Sequence, residues 1–108
     1  MQAVENALQS LIGEIKNTDV YKNYRERLSV VEAEPGLMER INEFRIKNYE
    51  LQNSDVQDDL FEAIDRLDRE YEQLRENPHV SSFLEAELSL CRMIQQVNLK
   101  IAEGIDFD

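Results

Sequence analysis

Residues 60–84 read LFEAIDRLDREYEQLRENPHVSSFL, and this stretch decides the fold class. Its apolar residues recur in alternating steps of four and three, the spacing of a helix stripe that packs against another helix. They are Leu60, Ile64, Leu67, Tyr71 and Leu74. Asn77 and Pro78 then interrupt the pattern, because asparagine is a good N-cap and proline at the first helical position needs no amide hydrogen. We therefore predict one helix that stops before Asn77 and another that begins at Pro78.

Similar apolar spacing continues on both sides of this stretch. It predicts helices over residues 2–16, 19–32, 35–52, 54–76 and 78–103. Thr18 can cap the second helix, although the first two helices can equally be one kinked helix. A firmer boundary lies at Glu34-Pro35-Gly36, where Pro35 suits the first turn of the third helix. Ser54 to Gln57 has the form of a capping box for the fourth helix.

Length and composition indicate an all-α protein with one domain, residues 1–108. The chain has 108 residues, 42% of them hydrophobic, with only 3 glycines and 2 prolines. A last helix over residues 78–103 would be about 39 Å long, whereas a compact domain of this size has a radius of gyration of about 13 Å. We therefore expect an elongated helical bundle of four to five helices. Its apolar flanks favour a homodimer or a higher homo-oligomer.

The charge of the chain excludes several kinds of partner. A net charge of -11 argues against direct binding of nucleic acid, which depends on Lys and Arg at the phosphates. It also disfavours anionic membranes, and no apolar run approaches the roughly 20 residues that span a bilayer. The N-terminal residues lack the basic start and apolar core of a signal peptide. We therefore expect a cytoplasmic protein, and its single cysteine agrees with a reducing compartment.

Glu76 and His79 have the Glu-x-x-His spacing of carboxylate-bridged metal sites. Such a pair must share one helix turn, whereas Asn77-Pro78 breaks the helix between these two residues. His79 is the only histidine and is interpreted as a surface residue. We therefore predict no metal, no cofactor and no catalytic residues. The alternative hypothesis is a metal-binding or enzymatic bundle centred on Glu87, Glu76 and His79.

The last predicted helix has a broad apolar stripe with two polar residues near its centre. The apolar members are Val80, Phe83, Leu84, Cys91, Ile94 and Ile101. Glu87 and Asn98 are the polar members, and they are interpreted as paired with donors from another helix or subunit. A catalytic Glu87 or a wet dimer groove are the other interpretations. Cys91 is interpreted as a small buried hydrophobe, because reactive cysteines need a basic setting.

Tyr21 and Tyr24 have helical spacing and are interpreted as core or dimer-interface residues with their hydroxyls at the edge. The predicted interaction surfaces are the long acidic fourth helix and the stripe on the last helix. The two tyrosines are grouped with the second surface. Its residues are Tyr21, Tyr24, Phe83, Glu87, Cys91, Ile94 and Asn98.

Two long segments resemble a known family. Residues 17–44, NTDVYKNYRERLSVVEAEPGLMERINEF, and residues 76–105, ENPHVSSFLEAELSLCRMIQQVNLKIAEGI, are similar to the small bacterial YlbF/YmcA/YheA proteins. The most specific positions are Tyr21 and Tyr24 ahead of Glu34-Pro35, and Asn77-Pro78 ahead of the apolar stripe.

This resemblance implies an all-helical, non-enzymatic cytoplasmic protein that self-associates and has regulators among its relatives. Some members work in complexes linked to competence, biofilm formation, sporulation and messenger-RNA processing through ribonuclease Y. Certain members have a cysteine-rich tail associated with iron-sulfur clusters, whereas this sequence has only Cys91, so we expect no cluster. The expected function is a regulatory or adaptor role through protein–protein interaction.

Overall fold

The computed structural model describes residues 1–53 and 60–106, and within them the backbone forms five α-helices and no strand. The helices are α1 Gln2–Lys16, α2 Asp19–Ala33, α3 Leu37–Gln52, α4 Leu60–Glu76 and α5 Pro78–Gly104. The all-α prediction is therefore confirmed for the described residues. The predicted capping box at Ser54 to Gln57 lies outside them.

Thr18 separates α1 from α2. Its hydroxyl donates a hydrogen bond to the Ile15 carbonyl at 2.7 Å and accepts one from the Tyr21 amide at 3.1 Å. One side chain thus satisfies the last turn of α1 and a free donor of the first turn of α2. The first two segments are two helices, and Thr18 is the predicted cap.

The junction of α2 and α3 is a tight turn. The Leu37 amide donates to the Glu34 carbonyl at 3.2 Å, and Gly36 has φ 78° and ψ -7°. These angles match the third residue of a type II turn, which glycine tolerates and in which proline suits the preceding position. The prediction that Pro35 opens the third helix is therefore wrong, because the left-handed Gly36 lies between Pro35 and the first helical residue.

The junction of α4 and α5 confirms the predicted stop and restart. The side-chain oxygen of Asn77 accepts a hydrogen bond from the His79 amide at 2.9 Å, as an N-cap does. Its carbonyl accepts from the Val80 amide at 3.0 Å. The side-chain nitrogen of Asn77 also donates to Glu34 at 3.0 Å, which ties this junction to the turn before α3.

The chain divides into two compact units. Unit 1 comprises residues 1–28 and 83–108, and unit 2 comprises residues 29–82. That the whole chain forms one domain stays a prediction.

Unit 2 is built on an antiparallel pair of helices, α3 and α4. The rings of Phe44 and Tyr71 stack with centroids 5.2 Å apart, and Lys47 forms an ion pair with Glu70 at 3.3 Å. Part of the apolar stripe of each helix is buried. The buried residues are Leu37 and Ile41 on α3 and Leu67 and Leu74 on α4. Burying a side chain of this size contributes about 1.5–3 kcal/mol, so the helix pair has its own core.

Unit 1 has a smaller buried cluster on α5. Phe83 and Ala86 are buried, and the Phe83 ring lies against Tyr24 of α2 with centroids 5.9 Å apart and planes tilted by 30°. Such an aromatic pair adds about 0.5–1.5 kcal/mol to the area that it buries. Phe83 therefore anchors α5 on α2 within this unit.

Candidate interaction surface

The two halves of α5 differ in burial although one apolar stripe runs along both. Val80, Phe83 and Ala86 in the first half are buried. In the second half Leu88, Ile94, Leu99 and Ile101 are exposed, Ile94 at 42%. A large contiguous patch of exposed apolar side chains is a feature of protein interaction sites.

We call the regular part of this exposed region the α5 stripe. Its members follow one another in steps of four, three, four and three, the spacing of a helix–helix seam. They are Glu87, Cys91, Ile94, Asn98 and Ile101. Glu87 is half-buried and the other four are exposed. The stripe therefore presents an apolar surface with two polar positions.

Cys91 corrects one prediction, because its side chain is exposed rather than buried. The prediction relied on its place in the apolar stripe, but no described residue of α5 after Ala86 is buried. A position in an apolar stripe shows which residues share a face. It does not show whether that face is covered.

The other predicted site residues lie in unit 1. Tyr21 and Tyr24 are half-buried on α2, and Tyr24 packs against Phe83. Glu87 has an interaction partner in the structure, whereas Asn98 is exposed. Tyr24 and Phe83 are thus brought together, and their role at an interface stays a prediction.

Glu76 and His79, the centre of the metal hypothesis, lie at the end of α4 and in the first turn of α5, and both are exposed. Within residues 1–53 and 60–106, no three or more His, Cys, Asp or Glu side chains are grouped so that they could hold a metal ion. The local geometry of Glu76 and His79 gives a helix junction, with Asn77 as its cap.

An open groove along α3 and α4 was not predicted. Its volume is about 390 Å³. Three apolar residues line it, Leu51, Ala63 and Leu67. Two basic and two acidic residues complete the lining, Lys47, Arg66, Glu50 and Glu70. The sequence holds no signal for this groove, because it depends on which faces of two helices meet. Its balanced lining, with the Lys47–Glu70 ion pair across it, gives no preference for a ligand of either charge.

None of the helices in the described part of the chain is both long enough and apolar enough to span a bilayer.

Comparison with known proteins places the chain in a family. The family model described as control of competence regulator ComK, YlbF/YmcA, matches residues 4–106. A UPF0342 protein of Desulfitobacterium hafniense is 30% identical over 105 residues, which are 95% of this chain and 85% of that protein. A UPF0342 protein of Caldicellulosiruptor bescii is 24% identical over 109 residues, 99% of this chain and 92% of the relative.

A third relative, a UPF0342 protein of Caldicellulosiruptor saccharolyticus, is 22% identical over 108 residues, 98% of this chain and 90% of the relative. No solved structure matches the chain. The family model spans both segments that carry the resemblance, residues 17–44 and 76–105, and the predicted family is confirmed. The chain belongs to the YlbF/YmcA family, described as acting in the control of the competence regulator ComK.

Proposed function

We propose that this protein is a non-enzymatic regulator or adaptor that acts by binding other proteins, and that it works as a homodimer or higher homo-oligomer joined through the α5 stripe. The family description, control of a competence regulator, supports a regulatory role. We assign this role to the cytoplasm, because that compartment keeps thiols reduced and a single cysteine cannot form a disulfide within the chain.

The observation that supports pairing through α5 is the charge of its exposed half. Residues 88–102 contain no Asp or Glu, and their only charged residues are Arg92 and Lys100, in a chain with a net charge of -11. Two copies of so acidic a chain repel each other least where carboxylates are absent. The same stretch exposes large apolar side chains, including Ile94 and Ile101, whose burial would favour association.

The predicted site residues have distinct roles in this proposal. Ile94 supplies apolar contact, and Cys91 fills the small position beside it. Glu87 and Asn98 set the register between copies, since polar residues in a helix seam favour one alignment and one partner. Tyr21, Tyr24 and Phe83 form the scaffold behind them, because the Tyr24–Phe83 contact holds α5 on α2.

Light scattering at micromolar concentration tests the assembly. We expect about twice the chain mass of 12.7 kDa, or a higher multiple of it. The double variant Ile94→Asp, Ile101→Asp should be a monomer, since it places four carboxylates in each pair of stripes. The control is Ile46→Asp, at an isoleucine of α3 that is also exposed, and its mass should equal that of the unchanged protein. A monomeric unchanged protein, or an unaltered double variant, would exclude the α5 stripe as the interface.

Two further measurements test the remaining parts. Affinity capture from the native cell with the unchanged protein and the double variant, followed by mass spectrometry, identifies partners that depend on the α5 stripe. Metal analysis of protein purified without chelator tests the non-enzymatic assignment, and stoichiometric bound metal would contradict it.

A further inference from the structure

A second exposed stripe lies on α4, outside its buried face. Phe61, Asp65, Asp68 and Glu72 recur in steps of four, three and four and are all exposed, Phe61 at 84%. Ile64 lies one turn from Phe61 and is exposed at 38%. We call these five residues the α4 seam. Residues with this spacing share one helix face, so the seam has an apolar end and an acidic remainder.

The α4 seam lies on the flank of α4 away from the groove. The buried face is marked by Leu67 and Leu74, and the Lys47–Glu70 ion pair lies on the groove side of it. At about 100° per residue, Asp68 lies to one side of Leu67 and Arg66 to the other. Because Arg66 lines the groove, Asp68 and the rest of the seam are on the opposite flank.

Acidic residues outnumber arginines on α4. The helix has six acidic and three basic residues over Leu60–Glu76. Arg66 lines the groove, and the guanidinium of Arg75 lies 5.4 Å from the centre of the Tyr71 ring. Arg75 also lines a surface pocket together with Glu72, and Arg69 lies one turn after Asp65, so two arginines lie near the three carboxylates of the seam. The seam thus keeps an excess of negative charge beside an exposed aromatic ring.

We propose that the α4 seam docks a basic amphipathic helix of a partner protein. An apolar residue of that helix covers Phe61 and Ile64, and Lys or Arg side chains at the matching spacing pair with Asp65, Asp68 and Glu72. This inference rests on the proposed function, a protein that acts by binding other proteins, and it names the chemistry of the partner.

Charge selects this occupant over the others. Unit 2 contains 14 acidic and 6 basic residues, a net charge of -8, so a second copy would bring like charges together. Phosphates of nucleic acids and anionic lipids are repelled for the same reason. A basic amphipathic helix can contact both the apolar end and the carboxylates of the seam. Both contacts are needed, because exposed ion pairs are individually weak.

The probe is a set of fluorescein-labelled helical peptides of 17 residues, the length of α4. One has a leucine followed by arginines at the seam's spacing in an alanine and glutamine background. A second has the reverse sequence, to allow either direction of packing. A third has the same composition with its arginines contiguous. By fluorescence anisotropy we expect one of the first two peptides to bind about tenfold more tightly than the third, with binding weakened by salt.

Variants of the protein locate the binding. Asp65→Asn, Asp68→Asn, Glu72→Gln removes three charges while keeping shape, and we expect it to weaken binding about tenfold. Phe61→Ala should weaken it by a similar factor through loss of the apolar contact. The matched control, Glu14→Gln, Glu26→Gln, Glu103→Gln, removes three exposed charges from unit 1 and should bind the peptide like the unchanged protein.

Equal binding of all three peptides, or equal effects of the seam and control variants, would reduce the interaction to bulk charge and overturn the proposal. A changed mass of the seam variant on its own in light scattering would also overturn it, because a second copy would then occupy the seam. These results are separate from the assembly test, since loss of peptide binding leaves the mass of the α5-joined protein unchanged.

Discussion

The buried apolar side chains lie mostly in unit 2, whereas the exposed large apolar side chains lie mostly in unit 1. Of the eight buried apolar residues among those described, six lie in unit 2, and of the twelve exposed large hydrophobic residues eight lie in unit 1. Unit 2 is also the more acidic of the two, with a net charge of -8 against -3 for unit 1. Unit 2 has a core of its own, and unit 1 has apolar surface that a partner can cover.

The physical reason lies in the pairing of α3 with α4. Two helices adjacent in sequence bring their stripes face to face, which buries Leu67 and Leu74 without any second chain. The second half of α5 has a stripe of the same spacing with exposed members such as Ile94. Shortening a buried side chain of unit 2 should therefore lower the free energy of unfolding. Changing exposed side chains of α5 should alter assembly instead.

The largest effect is expected at Phe83, one of the two buried apolar residues of unit 1 among those described. Phe83 is 1% exposed and packs against Tyr24, so Phe83→Ala should lower the free energy of unfolding by about 3–5 kcal/mol. The measurement is urea denaturation followed by circular dichroism at a fixed, low protein concentration. Phe61→Ala, the same change at an exposed ring, should stay within about 0.5 kcal/mol. Equal losses for the two variants would contradict the assignment of Phe83 to the core.

The second prediction tests the contrast between the units with one residue type. Leu74 on α4 is 3% exposed, and Leu74→Ala should lower the free energy of unfolding by about 2–4 kcal/mol. Leu99 on α5 is 53% exposed, and Leu99→Ala should have little effect on a dilute sample. A larger loss of unfolding free energy for Leu99→Ala than for Leu74→Ala, at a concentration where the protein is monomeric, would contradict the contrast between the units.

A smaller effect is expected at the helix junction. Asn77→Ala removes the cap on the His79 amide and the hydrogen bond to Glu34, and should lower the free energy of unfolding by about 1 kcal/mol. Asn98→Ala, at an exposed position inside α5, is the control and should not be destabilising in the monomer. Thermal unfolding of both variants is measured at a concentration at which the protein is monomeric. A neutral Asn77→Ala would mean that Pro78 alone defines the restart.

The smallest effect is expected at the ion pair between α3 and α4. Lys47 and Glu70 have 55% and 33% of their side-chain surface exposed, so solvent screens their attraction. Lys47→Met should lower the free energy of unfolding by no more than about 0.5 kcal/mol, and the loss should disappear in high salt. Lys100→Met is the control in unit 1. A large, salt-independent loss for Lys47→Met would show that the methylene chain of Lys47, rather than its charge, packs in the groove.

Much of the fold was predictable from short-range signals in the sequence. The burial of the predicted site residues was not. The bounds of α1 and the junction at Asn77 agree with the predictions because periodicity and capping involve residues within a turn or two. Pro35 was misassigned because proline suits both a turn and a first helical residue, and the φ of Gly36 decides between them. Cys91 was misassigned because its burial depends on what covers α5.

The sequence by itself determined the helices, their caps and the faces on which apolar residues gather, since these result from contacts only a few residues apart. Only the tertiary structure decided which faces are covered. The Phe44–Tyr71 stack, the Tyr24–Phe83 contact and the Asn77–Glu34 hydrogen bond join residues far apart in the chain. Burial is a property of two surfaces that meet, and a periodic pattern in one helix describes only one of them.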